Sequence, residues 1–108
     1  MEGEETTVTR KMSLESRFQS SLISHIRERF ENCVILKNDA NYIQGIPDLL
    51  ILYRDRWAAL ECKRSKDAPH QPNQDYYIET FNRMSFGAFV YPENEGEILD
   101  ALENAFFG

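Results

Sequence analysis

The sequence is poor in the residues that build several common kinds of site. It has two cysteines, Cys33 and Cys62, and two histidines, His25 and His70. None has a second Cys or His at ligand spacing, so a zinc site is not expected. Two isolated thiols also give no disulfide framework, and both are read as reduced and packed. No apolar run approaches the roughly 20 residues that cross a bilayer, so no membrane partner is expected. Residues 1–10 are acidic and polar and lack the apolar stretch of a signal peptide. A cytoplasmic location follows as the expectation. Nor is there an excess of basic charge: the net charge is −6.

What is present fits one domain. The chain has 108 residues and is 42% hydrophobic, enough for one modest core that a partner subunit would help to cover. The charge is unevenly spread. All 12 Lys and Arg lie between Arg10 and Tyr91, whereas Glu2, Glu4, Glu5, Glu93, Glu95, Glu97, Asp100 and Glu103 lie outside that span. The middle is therefore slightly positive, which permits nucleic-acid binding without requiring it.

Residues 1–12 lack apolar periodicity and are expected to form a disordered acidic tail before a single domain at 13–108. Ser13 reads as an N-cap. Leu14, Phe18, Leu22, Ile23, Ile26 and Phe30 then fall on one half of a helix. Residues 33–36 form a short apolar strand, and 37–45 a polar loop. Pro47 tolerates a strand start, and the unbroken apolar run from Leu49 to Tyr53 predicts a central strand covered on both faces. Residues 57–63 make the next strand, joined to it by a tight turn at Arg54-Asp55 that contains no glycine. Pro72 precedes a helix over 75–84, with Gly87 near its stop. Residues 88–91 form a last strand and 97–107 a last amphipathic helix. The order is α-β-β-β-α-β-α, an α/β fold with a mixed sheet flanked by helices.

Three acids converge. Asp48 opens an apolar strand. Glu61 and Lys63 are two apart on the neighbouring strand and share a face. If Arg54-Asp55 is a two-residue loop, counting back from a Tyr53–Arg56 pair sets Asp48 opposite Glu61. Carboxylates so placed repel each other unless a cation lies between them. Glu15 falls within the inward stripe of the first helix, where an ionised carboxylate is costly without a partner. Asp48, Glu61, Glu15 and the backbone carbonyl of Cys62 form a hard oxygen donor set suited to Mg²⁺, with Mn²⁺ as substitute. Such a site with a lysine beside it fits phosphodiester hydrolysis: the metal polarises the phosphoryl oxygen, and Lys63 orients water or balances developing charge. The rival reading makes Glu61 and Lys63 an exposed edge-strand charge pair. Cys62 alternates to the opposite face as a core thiol. Arg54, Arg56, Arg64 and Lys66 are candidate phosphate contacts.

The segments Gly45-Ile46-Pro47-Asp48, Leu60-Glu61-Cys62-Lys63 and Gln71-Pro72-Asn73-Gln74 resemble the PD-(D/E)xK nuclease superfamily, and most of all its small virus-type replication-repair (VRR-NUC) members. The likeness runs from Leu14 to about Leu102. It implies a restriction-endonuclease-like core with Asp48, Glu61 and Lys63 as the catalytic triad and Glu15 as a helix-borne acid. It makes Gln74 a partner for substrate or metal-bound water. It further implies a phage- or virus-type Mg²⁺-dependent endonuclease acting on DNA in replication, recombination or repair, in the host cell cytoplasm. Such an enzyme is expected to be structure-selective like a Holliday-junction resolvase, with branched DNA as substrate and a homodimer as the working unit. A flap or duplex nuclease, or a catalytically silent DNA- or protein-binding module of the same fold, are the other readings.

Overall fold

The computed structural model describes the backbone of residues 2–108 and the side chains of residues 14–108. The elements follow the expected order: α1 (Glu2–Arg29), β1 (Val34–Lys37), β2 (Leu49–Tyr53), β3 (Arg56–Cys62), α2 (Gln74–Met84), β4 (Gly87–Val90) and α3 (Glu95–Phe107). Helix α1 begins at Glu2, so the boundary expected at Ser13 is not a helix start. Residues 4–12 contain no proline or glycine that would interrupt it. The side chains of the expected tail and of Ser13 fall outside the described residues. The strands sit within a residue or two of their expected ends. Gly87 is the first residue of β4 rather than a helix stop, α2 having ended at Met84.

The four strands form one sheet in the order β1-β2-β3-β4. The first two pairings are antiparallel and β3–β4 is parallel, as a helical crossover through α2 requires. Alternation then gives the sheet two different faces. Leu49, Ile51 and Tyr53 of β2, with Ala58, Leu60 and Cys62 of β3, point to one of them. They pack against Phe18, Leu22, Ile23 and Ile26 of α1, Phe30 just after it, and Leu99, Leu102 and Phe106 of α3. Phe30, Tyr53, Phe106 and Phe107 close one end of this core with ring centroids 5.1–5.8 Å apart. The predicted apolar stripe of α1 is buried from Phe18 onward. Leu14, expected at its start, is 67% exposed, because α1 runs past the sheet there.

Helix α2 lies on the other face, over β3 and β4. Gly87 makes this close approach possible: a Cβ there would stand 2.7 Å from the carbonyl oxygen of Ile78. The half of the face formed by β1 and β2 has no helix over it, so Leu50 and Leu52 are only half-buried. The strand expected to be covered on both faces is therefore fully covered on one.

No helix among the described residues is long and apolar enough to cross a membrane.

Candidate functional site

The hairpin between β2 and β3 fixes the site. Tyr53 pairs with Arg56, so Arg54-Asp55 is a two-residue loop. Arg54 adopts φ 57, the left-handed conformation usually left to glycine. Its guanidinium lies 4.9 Å from the Tyr53 ring centroid and 5.9 Å from that of Phe107. These stacking contacts hold it there without a glycine. The register then runs to Leu49 opposite Leu60, and the next position places Asp48 opposite Glu61.

The two carboxylates hold each other's strands. The Asp48 N–H donates to Glu61 Oε1 at 3.2 Å, and the Cys62 N–H donates to Asp48 Oδ2 at 2.9 Å. Glu61 is only 4% exposed. Burial, and then repulsion from Asp48, push its carboxyl up to about 8. Burial raises Asp48 as well. A pair in this state holds a proton near neutrality or takes a cation in its place.

Lys63 directly follows β3 on the same face and is 5% exposed. Its ammonium donates to Gln74 Oε1 at 2.6 Å and to the Pro69 carbonyl at 3.0 Å. Gln74 joins the acid to the base: its Nε2 donates to Glu61 Oε2 at 3.0 Å, and its Oε1 also accepts the Gln71 N–H at 2.8 Å. An ammonium has three donors; with two engaged, the third is left for a ligand. Gln74 is thus the first residue of α2 and a two-sided clamp. Asn73 before it adopts φ 71. There it meets Gly45, where a Cβ would lie 2.6 Å from the Cβ of Asn73.

Glu15, Glu61, Lys63, Arg64, Gln71 and Gln74 line a cleft of about 250 Å³. Glu15 is at its lip and exposed, not buried on the inward face of the helix as expected. Its carboxyl is still raised, by partial burial and then by Asp48. Among the described residues no three of His, Cys, Asp and Glu converge closely enough to hold an ion. A third donor beside Asp48 and Glu61 would come from the main chain. The register continues to set Pro47 opposite Cys62, where the ladder would call for an N–H that proline lacks. The Cys62 carbonyl therefore has no ladder donor from β2. The side chain of Cys62 is fully buried in the core on the other face, as alternation required.

The four expected phosphate contacts separate. Arg64 lines the cleft, and Lys66 is exposed in the loop after it. Arg54 and Arg56 are at the opposite end of the hairpin, five residues of β2 away from Asp48. Arg56 donates to the Ala105 carbonyl at 2.6 Å, near the C-terminal end of α3, and so ties the turn to that helix. The two histidines pair away from the cleft, His25 of α1 with Glu95 of α3 and His70 with Asp75. Sequence reasoning missed the Pro69 carbonyl and the Gln71 N–H, which are main-chain groups with no side-chain signature. It also missed the role of Pro47, whose signal was a missing donor rather than a present group.

No family model and no curated protein matches the chain. Solved structures do. One described as a VRR_NUC domain has 24% sequence identity and a TM-score of 0.58, covering 86% of this chain and 97% of that one. Another, described as a VRR_NUC domain protein, has 14% identity and a TM-score of 0.61, covering 84% and 86%. The chain has the fold of the VRR_NUC domain, the α/β architecture that its Pro47-Asp48 and Glu61-Cys62-Lys63 segments implied.

Proposed function

We infer that the protein is a metal-dependent nuclease that hydrolyses DNA phosphodiester bonds at the cleft between Glu15, Glu61, Lys63 and Gln74. The observation that carries this reading is the half-buried Asp48 opposite the buried Glu61, with Lys63 locked beside them through Gln74. A purely structural pair has no physical reason to bury two opposed acids. The donor set fits Mg²⁺, or Mn²⁺ in its place: two carboxylates and the Cys62 carbonyl are hard oxygens, and Mg²⁺ keeps several waters of its own. When bound, the metal would supply polarisation of the phosphoryl oxygen and a more acidic water. Glu15 at the lip would reach a water of that ion or a second ion.

The remaining steps belong to the chain. Lys63 directs its third N–H toward the attacking water or a non-bridging phosphate oxygen, fixed in place by Gln74 and Pro69. Gln74 keeps Glu61 Oε2 oriented through its amide. Arg64 and Lys66 meet the flanking phosphates. Water adds to phosphorus as the sugar oxygen leaves, giving a phosphomonoester end and a hydroxyl end. The resemblance of the motifs extends this reading to a branched substrate and a homodimer making paired nicks, as in phage- or virus-type resolvases of replication, recombination or repair.

The test is cleavage by purified protein with Mg²⁺ or Mn²⁺ on an immobile four-way junction, a flap, single-stranded DNA and linear duplex, with Lys63→Ala as control. Symmetric nicking of the junction, absent in the control, is the expected result. Cutting of flaps or duplex alone keeps the nuclease and removes the resolvase. Folded protein that cuts none of them, with or without metal, turns the reading to a binding module.

A further inference from the structure

The ammonium of Lys63 has two acceptors, the Pro69 carbonyl at 3.0 Å and Gln74 Oε1 at 2.6 Å. Each acceptor is one residue before a partner in another hydrogen bond, in which the His70 Nδ1–H donates to Asp75 Oδ1 at 2.7 Å. The chain and these bonds close a ring that runs from Lys63 through Pro69, His70, Asp75 and Gln74 back to Lys63. The His70–Asp75 bond therefore sets the span between the two acceptors.

This ring is tied to the sheet at His70. The imidazole stacks on Phe89 of β4, with centroids 4.0 Å apart and planes 18° from parallel. Phe89 is the register partner of Glu61 across the parallel β3–β4 pair. Its side chain rises from the same face as the acids, one strand over, a spacing of about 4.8 Å. The sheet thus fixes where His70 stands relative to Glu61. The segment before His70 cannot do this. It is held at its start, where the Lys63 N–H donates to the Val90 carbonyl at 2.8 Å, and makes one turn, with the Ala68 N–H on the Ser65 carbonyl at 3.2 Å. That turn ends short of Pro69, which has no N–H of its own to fasten. The Pro69 carbonyl lies in the planar peptide that joins it to His70, so its direction follows His70.

Exposed His–Asp pairs are commonly no more than surface contacts, and these side chains are 40% and 66% exposed. Two features set this pair apart: the aromatic ring under the imidazole, and the place of both partners next to the acceptors of a lysine that is 5% exposed. Pro69, Gln71 and Gln74 line the cleft; His70 holds them from behind.

We propose that His70 is a positioning residue for Lys63: stacked on Phe89 and bonded to Asp75, it fixes the Pro69 carbonyl against Gln74 and so aims the third N–H of the ammonium. The consequence for cleavage rests on the proposed nuclease reading, whereas the hold on Lys63 does not, so the test reads both.

The first readout is the NMR signal of the Lys63 ammonium in metal-free full chain carrying nitrogen-labelled lysine, assigned by its loss in Lys63→Ala. A buried ammonium on two fixed acceptors exchanges slowly with water, so a resolved signal is expected in the wild type. His70→Ala is expected to broaden it away while the backbone amide spectrum stays dispersed, and His70→Phe, which keeps the stack, to recover part of it. The second readout is kinetic, with Mg²⁺ or Mn²⁺ on whichever DNA the wild type cuts. His70→Ala is expected to lower kcat by about 10–100-fold, the scale of a misaimed catalytic group, with KM within about twofold. Should His70→Ala not fold, Asp75→Ala, which leaves the stack in place, carries the same two readouts. No Lys63 signal in the wild type overturns the proposal, as does a signal that survives His70→Ala or a signal lost with kcat unchanged. A change in KM alone overturns it in favour of a direct DNA contact by His70. Folded wild type that cuts no DNA removes the nuclease reading, and the spectrum still decides whether His70 holds Lys63.

Discussion

The two faces of the β2–β3 hairpin are built from alternate residues of the same strands, yet they obey different rules. On the inner face, Leu49, Ile51, Leu60 and Cys62 are fully buried among the apolar side chains of α1 and α3. Each contributes stability by leaving water and filling space. On the outer face, Asp48, Glu61 and Lys63 take the equivalent positions at one end. Glu61 and Lys63 are buried too and Asp48 is half-buried, but their burial is offset only by directed hydrogen bonds, and it leaves Glu61 raised to about 8. The inner face shows what makes this fold stable. The outer face shows where some of that stability has been exchanged for a site that accepts charge.

The comparison breaks most sharply at the acids. Asp48→Ala and Glu61→Ala are each expected to lower the cleavage rate by about 10³-fold or more, the scale of losing a centre that stabilises developing charge. Both variants should still fold, because the inner core is untouched, with a modest loss of stability where Asp48→Ala leaves the Cys62 N–H and Glu61→Ala leaves the Asp48 N–H without an acceptor. Unfolding of both variants would make the pair structural. Leu60→Ala, from the other face, should do the reverse. It is expected to cost about 2–5 kcal/mol in denaturant unfolding, with Mg²⁺ affinity unchanged by calorimetry below the transition.

The acid pair should also appear in the pH dependence of metal-free protein. Glu61 rises from the ordinary 4.5 to about 8 on folding, so the folded state binds this proton more tightly than the unfolded chain. Its contribution to stability is complete below pH 4.5 and is lost as pH rises through about 8. Thermal melts should therefore fall across that window. Added Mg²⁺ should restore them at the alkaline end, and Glu61→Gln should flatten the curve. A wild-type profile that rises across the window would contradict the assignment.

The smallest effect is expected at the far end of the hairpin. Arg54→Gly relieves a left-handed residue, a gain of about 1 kcal/mol, and loses the stacking on Tyr53 and Phe107, which is of similar size. Net stability should stay within about 1 kcal/mol, and DNA cleavage should not change. A marked fall in cleavage would return Arg54 to the phosphate contacts from which its position separates it.

Much of this was legible because it depends on periods of two and of 3.6. The order of elements, the helix face from Phe18 to Phe30, the core side of Cys62 and the opposition of Asp48 and Glu61 all follow from local spacing plus one hairpin. The errors came where geometry is set at a distance. The stripe of α1 appeared to include Leu14 and Glu15, but the sheet ends before them and leaves both exposed. The run Leu49–Tyr53 read as covered on both faces, but α2 lies over β3 and β4 and leaves β1 and β2 open. Arg54 and Arg56, named as candidate phosphate contacts, lie at the turn, five residues of β2 from Asp48. A hairpin puts its turn at the opposite end from its open termini.

By itself the sequence determined the chemistry available: two acids and a lysine in strand alternation, a proline without an N–H before the first acid, and a glutamine at a helix start. Those are properties of residue type and spacing, and they hold in any fold that pairs the two strands. Only the tertiary structure decided that Gln74 would lie between Glu61 and Lys63, that the Pro69 carbonyl would hold the ammonium, and that Glu15 would reach the lip of the cleft. These contacts join segments whose separation in the chain carries no periodic signal, and they exist because the packing of α1 and α2 on the sheet brings those segments to one edge.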